Sequence, residues 1–423
     1  MKAPHGAVVK AGGLLHFKCD NAMTWNAFAA GSPCALTPAM TYDPVALISP
    51  RFLRSSDPCE VVSENERALL RLARAYPGHS RSEIAARLPL AQQSVHRIID
   101  ALAERGLILL GSPRPGTGRG QPSPTVSLNP EFAWTVGLSV NTDRAGLCLM
   151  PFAGPAETVS IDIGGQSLSD SLDRIQERLA QLLDQRGVAA EKILGLSLGI
   201  AGYRIDGTTY NAPLPLHDWS LIELGPLLAR RFNLPVWVEN GASTAAVGEA
   251  MLGVGRHIQS FAYLSFNYGF GGGLILNGEL YAGSNGNAGE FSGLADVEGG
   301  KRRPALQLLI ARLEAEGMHV PSLEWLRRNF RPDWPGVEAW VDDVTPFTNT
   351  LLNAIWSVID PQAIVFGGEV PRKLADMLIE RVTFNNSPRY GNRRRTPKLI
   401  VSDLEGEPSA VGAAALPFKT CIF

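Results

Sequence analysis

The segment from residue 62 to 122 constrains the chain most, because it carries the same helix-start signal twice in quick succession. Ser63-Glu64-Asn65-Glu66 and Ser80-Arg81-Ser82-Glu83 both have the capping-box form. In each, the serine hydroxyl can take up an orphan N–H of the first turn while the glutamate reaches back to the cap. After the first box, Ala68, Leu69, Leu72, Ala73 and Tyr76 recur at helical spacing, and Pro77-Gly78 stops the run. After the second come Ile84, Ala85 and Leu88, a turn at Pro89-Leu90, and a third helix with Val95, Ile98, Ile99 and Leu102 inside and Gly106 at its end. Two short helices joined by a tight turn, the second with a polar outer face, predict a helix-turn-helix. An apolar strand at 107–110, a partner at 125–128 and a Gly-, Pro- and Arg-rich connection between them predict a wing.

Charge gives this module a partner. Residues 62–122 hold nine arginines, no lysine and five acids, a formal +4 in a chain whose total is −2. A basic module on an acidic body is expected to face the phosphates of double-stranded DNA. The expected reading face of the third helix is Gln92, Gln93, Ser94, His96 and Arg97, since glutamine suits adenine and arginine suits guanine or phosphate. Arg119, in the run Gly118-Arg119-Gly120-Gln121-Pro122, has no bulky neighbour and is expected to enter a narrow minor groove. A three-helix subdomain with a solvated charged face is the alternative.

The length of 423 residues leaves room for two or three domains, and 45% hydrophobic with 19% charged residues is ordinary for a globular chain. No apolar run approaches the ~20 residues of a membrane helix. The first residues lack the apolar core of a secretory signal, so no membrane partner and a cytoplasmic location are expected. The five cysteines stand far apart, without a C-x-x-C pair, and indicate neither a disulfide framework nor a cysteine zinc site. Residues 1–60 show no sustained period and form an extension to which no function is assigned; Met40 offers a later start.

From Trp134 onward strands alternate with helices, the pattern of an α/β fold. Strands are expected at 136–140, 146–150, 193–198, 235–238, 260–266, 274–276, 363–366 and 398–401. Helices are expected at 167–185, 221–232, 242–252, 346–359 and 409–416. Between two of the strands, Gly269-Phe270-Gly271-Gly272-Gly273 is expected to loop, either as a phosphate-binding nest of N–H groups or as a tight turn.

These segments resemble the ROK family of repressors and sugar kinases, in particular its repressor branch with an N-terminal winged helix. The matching stretches occur in the family order: the turn at 199–202, Val238-Glu239-Asn240-Gly241-Ala242, the glycine run with Asn277-Gly278-Glu279-Leu280, Gly286-Asn287-Ala288-Gly289-Glu290, the stretch 360–368, and Gly412-Ala413-Ala414. The resemblance implies a winged helix-turn-helix over 61–130 and a two-lobed, actin-like ATPase body over 131–423. It implies a sugar in the cleft, held by Gly202, Asn240 and Glu290, with Asn211 and Asp218 nearby. Asn240 also fits as a cap of the following helix.

The departures bear on activity. Family kinases carry an aspartate general base after the Glu-Asn pair, and here position 241 is glycine, which cannot accept a proton. Ser139-Val140-Asn141-Thr142-Asp143 stands in place of an Asp-x-Gly-Gly-Thr phosphate loop, and Asn267-Tyr268 replaces a Gly-Thr. The family's zinc ligands, one histidine and three cysteines, are absent after Glu290. The expectation is therefore a pseudokinase without ATP or zinc. It would be a homodimer or homotetramer that represses carbohydrate genes at a DNA operator in response to a sugar. An active sugar kinase with a DNA-binding head, and a regulator controlled by a protein partner, are the alternatives.

Overall fold

The computed structural model describes residues 42–114, 123–142, 144–294, 302–404 and 406–423. The head is built from α1 (Glu64–Ala75), α2 (Arg81–Ala85), α3 (Gln92–Glu104), β1 (Ile108–Arg114) and β2 (Ser123–Leu128). Both capping boxes form. Ser63 Oγ accepts from Glu66 N and Ser80 Oγ from Glu83 N, while each glutamate accepts from its serine N–H at 2.7 Å. β1 and β2 pair antiparallel, and a bridge between Ser80 and Thr125 ties the wing to the start of α2. The wing tip, with Arg119, lies outside the described residues.

Part of the unassigned extension is packed. Phe52 is 1% exposed and joins Ile48, Val61 and Val62 in the core under α1 and α3. Arg105 donates to the Phe52 and Val61 carbonyls, and Val236 N donates to the Tyr42 hydroxyl at 3.0 Å. This stretch mixes aromatic anchors with turns and has no period to betray it.

The body holds two lobes of one strand order. The first contains β3 (Trp134–Val140), β4 (Arg144–Pro151), β5 (Glu157–Asp162), α4 (Leu168–Arg186), β6 (Ile193–Ile200), the hairpin β7 (Tyr203–Asp206) and β8 (Thr209–Asn211), α5 (Leu224–Phe232) and β9 (Val236–Asn240). Helix α6 (Gly241–Leu252) follows. The second contains β10 (Phe261–Phe266), β11 (Phe270–Leu276), β12 (Glu279–Leu280), α7 (Leu306–Ala315), α8 (Leu323–Asn329), α9 (Val337–Ile359), β13 (Ala363–Gly368), α10 (Arg372–Glu380) and β14 (Lys398–Val401). Helix α11 (Pro408–Cys421) follows that lobe. The sheets run β5-β4-β3-β6-β9 and β12-β11-β10-β13-β14, each an antiparallel meander continued by two parallel strands.

The glycine run is strand, not loop. Gly271, Gly272 and Gly273 pair with Ser265, Leu264 and Tyr263 of β10, and the turn is at Asn267, Tyr268 and Gly269. The glycines serve close packing. A Cβ on Gly272 would overlap the Phe291 ring and the Tyr263 carbonyl oxygen, and one on Gly273 would lie 2.7 Å from Ala246 Cβ. Helix α9 begins at Val337, so Pro346 sits inside it rather than at its start.

Helices α6 and α11 are apolar around most of their girth and buried almost throughout, as helices between two layers must be. They cross at Gly248 and Gly412, where a Cβ on Gly412 would overlap the Thr244 carbonyl oxygen. The head shares the adjoining core. A chain of ring contacts runs from Phe52 to Phe132 (5.8 Å), Phe152 (5.3 Å), and then Phe418 and Phe423 (5.4 Å each).

Candidate functional site

Strand β6 delivers the chain to Gly202, and β9 delivers it to Asn240 at the start of α6. Gly202 has φ +118° and lies against the Asn211 carbonyl, so no side chain fits there. Asn240 Oδ1 accepts from Ala242 N (2.7 Å) and Ser243 N (3.3 Å), which fixes the amide orientation. Its Nδ2 then donates to Gly202 O at 2.7 Å and to Glu290 Oε1 at 3.1 Å. The three residues assigned to a sugar thus form one bonded group, with Asn240 at its centre. Asn240 has its capacity filled and acts as the helix cap. Glu290, open at the cleft, is the member with acceptor capacity to offer. Burial of its carboxyl end raises its pKa, although the residue as a whole is exposed.

A second layer, not anticipated from the sequence, supports this group. Glu239 accepts from Asn240 N at 2.8 Å, from Arg204 Nη2 at 2.8 Å and from Tyr210 OH at 3.3 Å. Burial opposes the Arg204 charge, but Glu239 outweighs it and lifts the pKa; burial and Glu239 both push the Tyr210 phenol up. Arg204 N donates to Asn287 Oδ1 (2.7 Å) and Arg204 O accepts from Asn287 Nδ2 (2.9 Å), which pins the loop carrying Glu290 to the β7–β8 hairpin. Asn211 donates to the Tyr203 hydroxyl, and Asp218 pairs with the exposed His217.

The other end of the cleft is different in kind. Glu407 caps α11, taking Ala410 N, and its Oε2 accepts from Ser139 Oγ at 2.6 Å. Its carboxylate therefore stands among Ser139 and Asn141, the segment in place of the first phosphate loop. Burial raises the Glu407 pKa against these hydrogen bonds. Glu369, just beyond Gly367-Gly368, is pushed up to about 7, mainly by burial; Arg327 opposes the shift, while Glu407 and Glu324 add to it. Arg327 Nε lies 3.5 Å from Glu369, and Glu324 on the same short helix α8 meets Arg144 of the first lobe at 3.4 Å. Two desolvated carboxyl groups, Glu407 and Glu369, thus stand at this end of the cleft. At Gly241 a Cβ would meet nothing nearer than 3.6 Å, so a side chain there is not excluded by a clash at Cβ. Among the described residues no group of three His, Cys, Asp or Glu side chains is arranged to hold a metal, nor is any helix long and apolar enough to cross a membrane.

The head offers less free charge than its composition suggests. Three arginines of α1 grip the body. Arg67 reaches the Thr420 and Cys421 carbonyls, Arg71 the Phe423 carbonyl and Glu279, and Arg74 the Met251 carbonyl and the Phe423 ring. Burial, with Arg256 and Arg71 nearby, pushes the Arg74 pKa down to about 10. Arg81 pairs with Asp100, Arg105 with Glu66, and Arg87 lies over the Tyr76 ring. On α3, Gln92, Gln93 and Arg97 are exposed and Ser94 is half-buried. His96 is half-buried, with Nε2 shut from solvent and unpartnered.

A winged helix-turn-helix seated on two mixed five-stranded lobes of the sugar-kinase type defines a class of DNA-binding regulators built on a kinase fold. The chain resembles the ROK family in its central part. Its residues 165–295 match the ROK family model, and residues 62–108 match a winged helix-turn-helix DNA-binding model. The uncharacterized protein y4fQ of Sinorhizobium fredii is 26% identical over 369 residues, 86% of this chain and 92% of its own length. A xylose repressor of Caldicellulosiruptor bescii is 26% identical over 218 residues, 50% of this chain and 53% of its own, so the match spans about half of that repressor. Glucokinases also stand among the relatives. The crystal structure of a ROK family transcriptional regulator, a homolog of E. coli MLC protein, superimposes with a TM-score of 0.61 at 19% identity, covering 85% of this chain and 96% of that one.

Proposed function

We propose that this helix-turn-helix regulator represses carbohydrate genes and that its kinase-like body senses a sugar without phosphorylating it. The observation that carries the reading is the course of α6 and α11. Each begins at the cleft, α6 on Asn240 beside Glu290 and α11 on Glu407. Each ends under the head, where Arg74 takes the Met251 carbonyl of α6 and Arg67 and Arg71 take the carbonyls of Thr420, Cys421 and Phe423. A sugar hydroxyl that draws Glu290 away from Asn240 acts on the cap of a helix whose far end, about 18 Å away for its 12 residues, holds the DNA-binding module. The response at the operator would equal the difference in sugar affinity between the two arrangements.

Gln92, Gln93 and Arg97 support base reading by α3, with Ser94, His96 and the wing residue Arg119 as further contacts, and a homodimer or homotetramer would present paired heads. Glu407, Glu369 and the glycine at 241 support a body that does not use ATP, and the lack of a histidine just after Glu290 and of cysteines between 149 and 420 supports one without zinc. Since several relatives are named xylose repressors, xylose is the first probe. Gel shifts with upstream DNA of neighbouring genes, with and without xylose and a panel of hexoses, test the reading. Release by one sugar in the wild type and not in Glu290→Gln is the expected result. Release unchanged in Glu290→Gln, or sugar phosphorylation in a coupled assay, would overturn it.

A further inference from the structure

We infer that the loop at 386–398 is a second duplex-DNA contact, on the body rather than on the head; the inference rests on the reading of the protein as a DNA-binding regulator. Between Arg381 and Ser402 the chain has six basic residues and no acid, in a chain whose net charge is −2. Two of the six are committed. Arg381 pairs with Glu338 and Asp342, and Arg394 lies 4.3 Å over the Trp356 ring and reaches Asp360. Arg394, together with the Trp356 Nε1 donation to Arg395 O at 3.0 Å, fastens the loop to the end of α9. Arg389, Arg393, Arg395 and Lys398 are exposed and make no ion pair among the described residues. Between them Tyr390 projects from a tight turn at φ +51° and is 97% exposed.

Placement chooses the partner. In the second sheet, Glu279 of β12, Phe261 of β10, Ala363 of β13 and Lys398 of β14 stand at one end, opposite the cleft. The head is bonded to that end at Glu279 through Arg71. The basic loop enters at the same end on the far edge, four strand spacings away, or about 19 Å. A duplex lying on α3 can pass its flanking backbone over this loop, where guanidinium groups and the tyrosine hydroxyl donate to phosphate oxygens. Three of the head's arginines are held by the body, so a basic loop on the body adds phosphate neutralisation that α1 does not supply.

The test uses the full chain and a variant with Arg389→Gln, Arg393→Gln, Arg395→Gln and Lys398→Gln, retaining Arg394. Binding to 16-bp and 60-bp duplexes of mixed sequence is followed by anisotropy from 50 to 200 mM salt. On the long duplex the variant is expected to lose about tenfold or more in affinity, and its log–log salt slope to flatten by about 2 to 4, at roughly 0.9 per phosphate contact. Replacing the three arginines by lysine should keep most of the binding, which separates charge from folding. A variant equal to the wild type on the long duplex overturns the inference and leaves the head reading intact. Loss of binding to polyglutamate with unchanged duplex binding also overturns it, in favour of an acidic protein partner. If the wild type binds neither duplex, the DNA-binding reading falls and takes this inference with it.

Discussion

Helices α6 and α11 hold equivalent places after two lobes of the same strand order, yet they begin on opposite chemistry. Helix α6 starts on a neutral amide that takes two backbone N–H groups and hands its own hydrogens to Gly202 and Glu290. Helix α11 starts on a carboxylate that occupies its own anion-binding terminus. A helix N-terminus favours negative charge, and here the chain supplies that charge from within. The contrast teaches that one helix begins on a neutral amide in contact with Glu290, while the other begins on the chain's own carboxyl group.

The largest effect should come from breaking the lock between the two helices. Gly412→Ala drives a methyl into the Thr244 carbonyl, and the expected loss is about 3 kcal/mol, read as a fall in melting temperature in thermal denaturation. If the variant melts as the wild type does, the two helices are not packed this closely at Gly412.

Next is the acidic half. Glu369 has a folded pKa of about 7, above its ordinary value of 4.5. Its contribution is therefore fully present below pH 4.5 and is lost as pH rises through 7. Glu369→Gln should gain on the wild type between pH 5 and pH 8, by on the order of 2 kcal/mol, in melts across that range. A constant difference would mean that the carboxyl is not held neutral by burial.

A smaller effect is expected in the polar half. Asn240→Ala removes the cap of α6 and should cost about 1 kcal/mol, together with any sugar response in the gel shift. Retained response with lowered stability would make Asn240 a cap and nothing more. Smallest of all, Gly241→Asp should fold normally, because its Cβ meets open contacts. It should show no phosphoryl transfer in a coupled assay, because Glu407 and Glu369 remain. Turnover in that variant would erase the distinction between the halves.

The head was legible because its signals are local. A serine and a glutamate three residues apart define a cap wherever they fall, and both boxes formed as the spacing requires. The clustering of Gly202, Asn240 and Glu290 was legible through family resemblance. What was not legible depends on distant partners. The glycine run read as a loop because nothing nearby announces that Phe291 and Ala246 press against it. Strand β5 is short, half-exposed and polar on one face, so it lacks an apolar run. Helices α7 and α10 have no side-chain cap to announce them, and α9 begins at Val337, nine residues before Pro346, which sits inside it. The head's arginines were counted as phosphate-facing, although three of them turn inward to the body. The arginine run at 393–395 was in plain view, and its lack of acids was the signal that could have drawn notice.

The ring contacts that run from Phe52 to Phe423 carry a practical corollary for anyone who wishes to transplant this reader onto another sensor. Cutting between residues 130 and 134 would strip Phe52, Phe132 and the gripping face of α1 of their cover, leaving a fragment whose sticky underside invites aggregation. Chimeras should therefore carry α11 and the far end of α6 along with the reader, or rebuild that seam with polar residues.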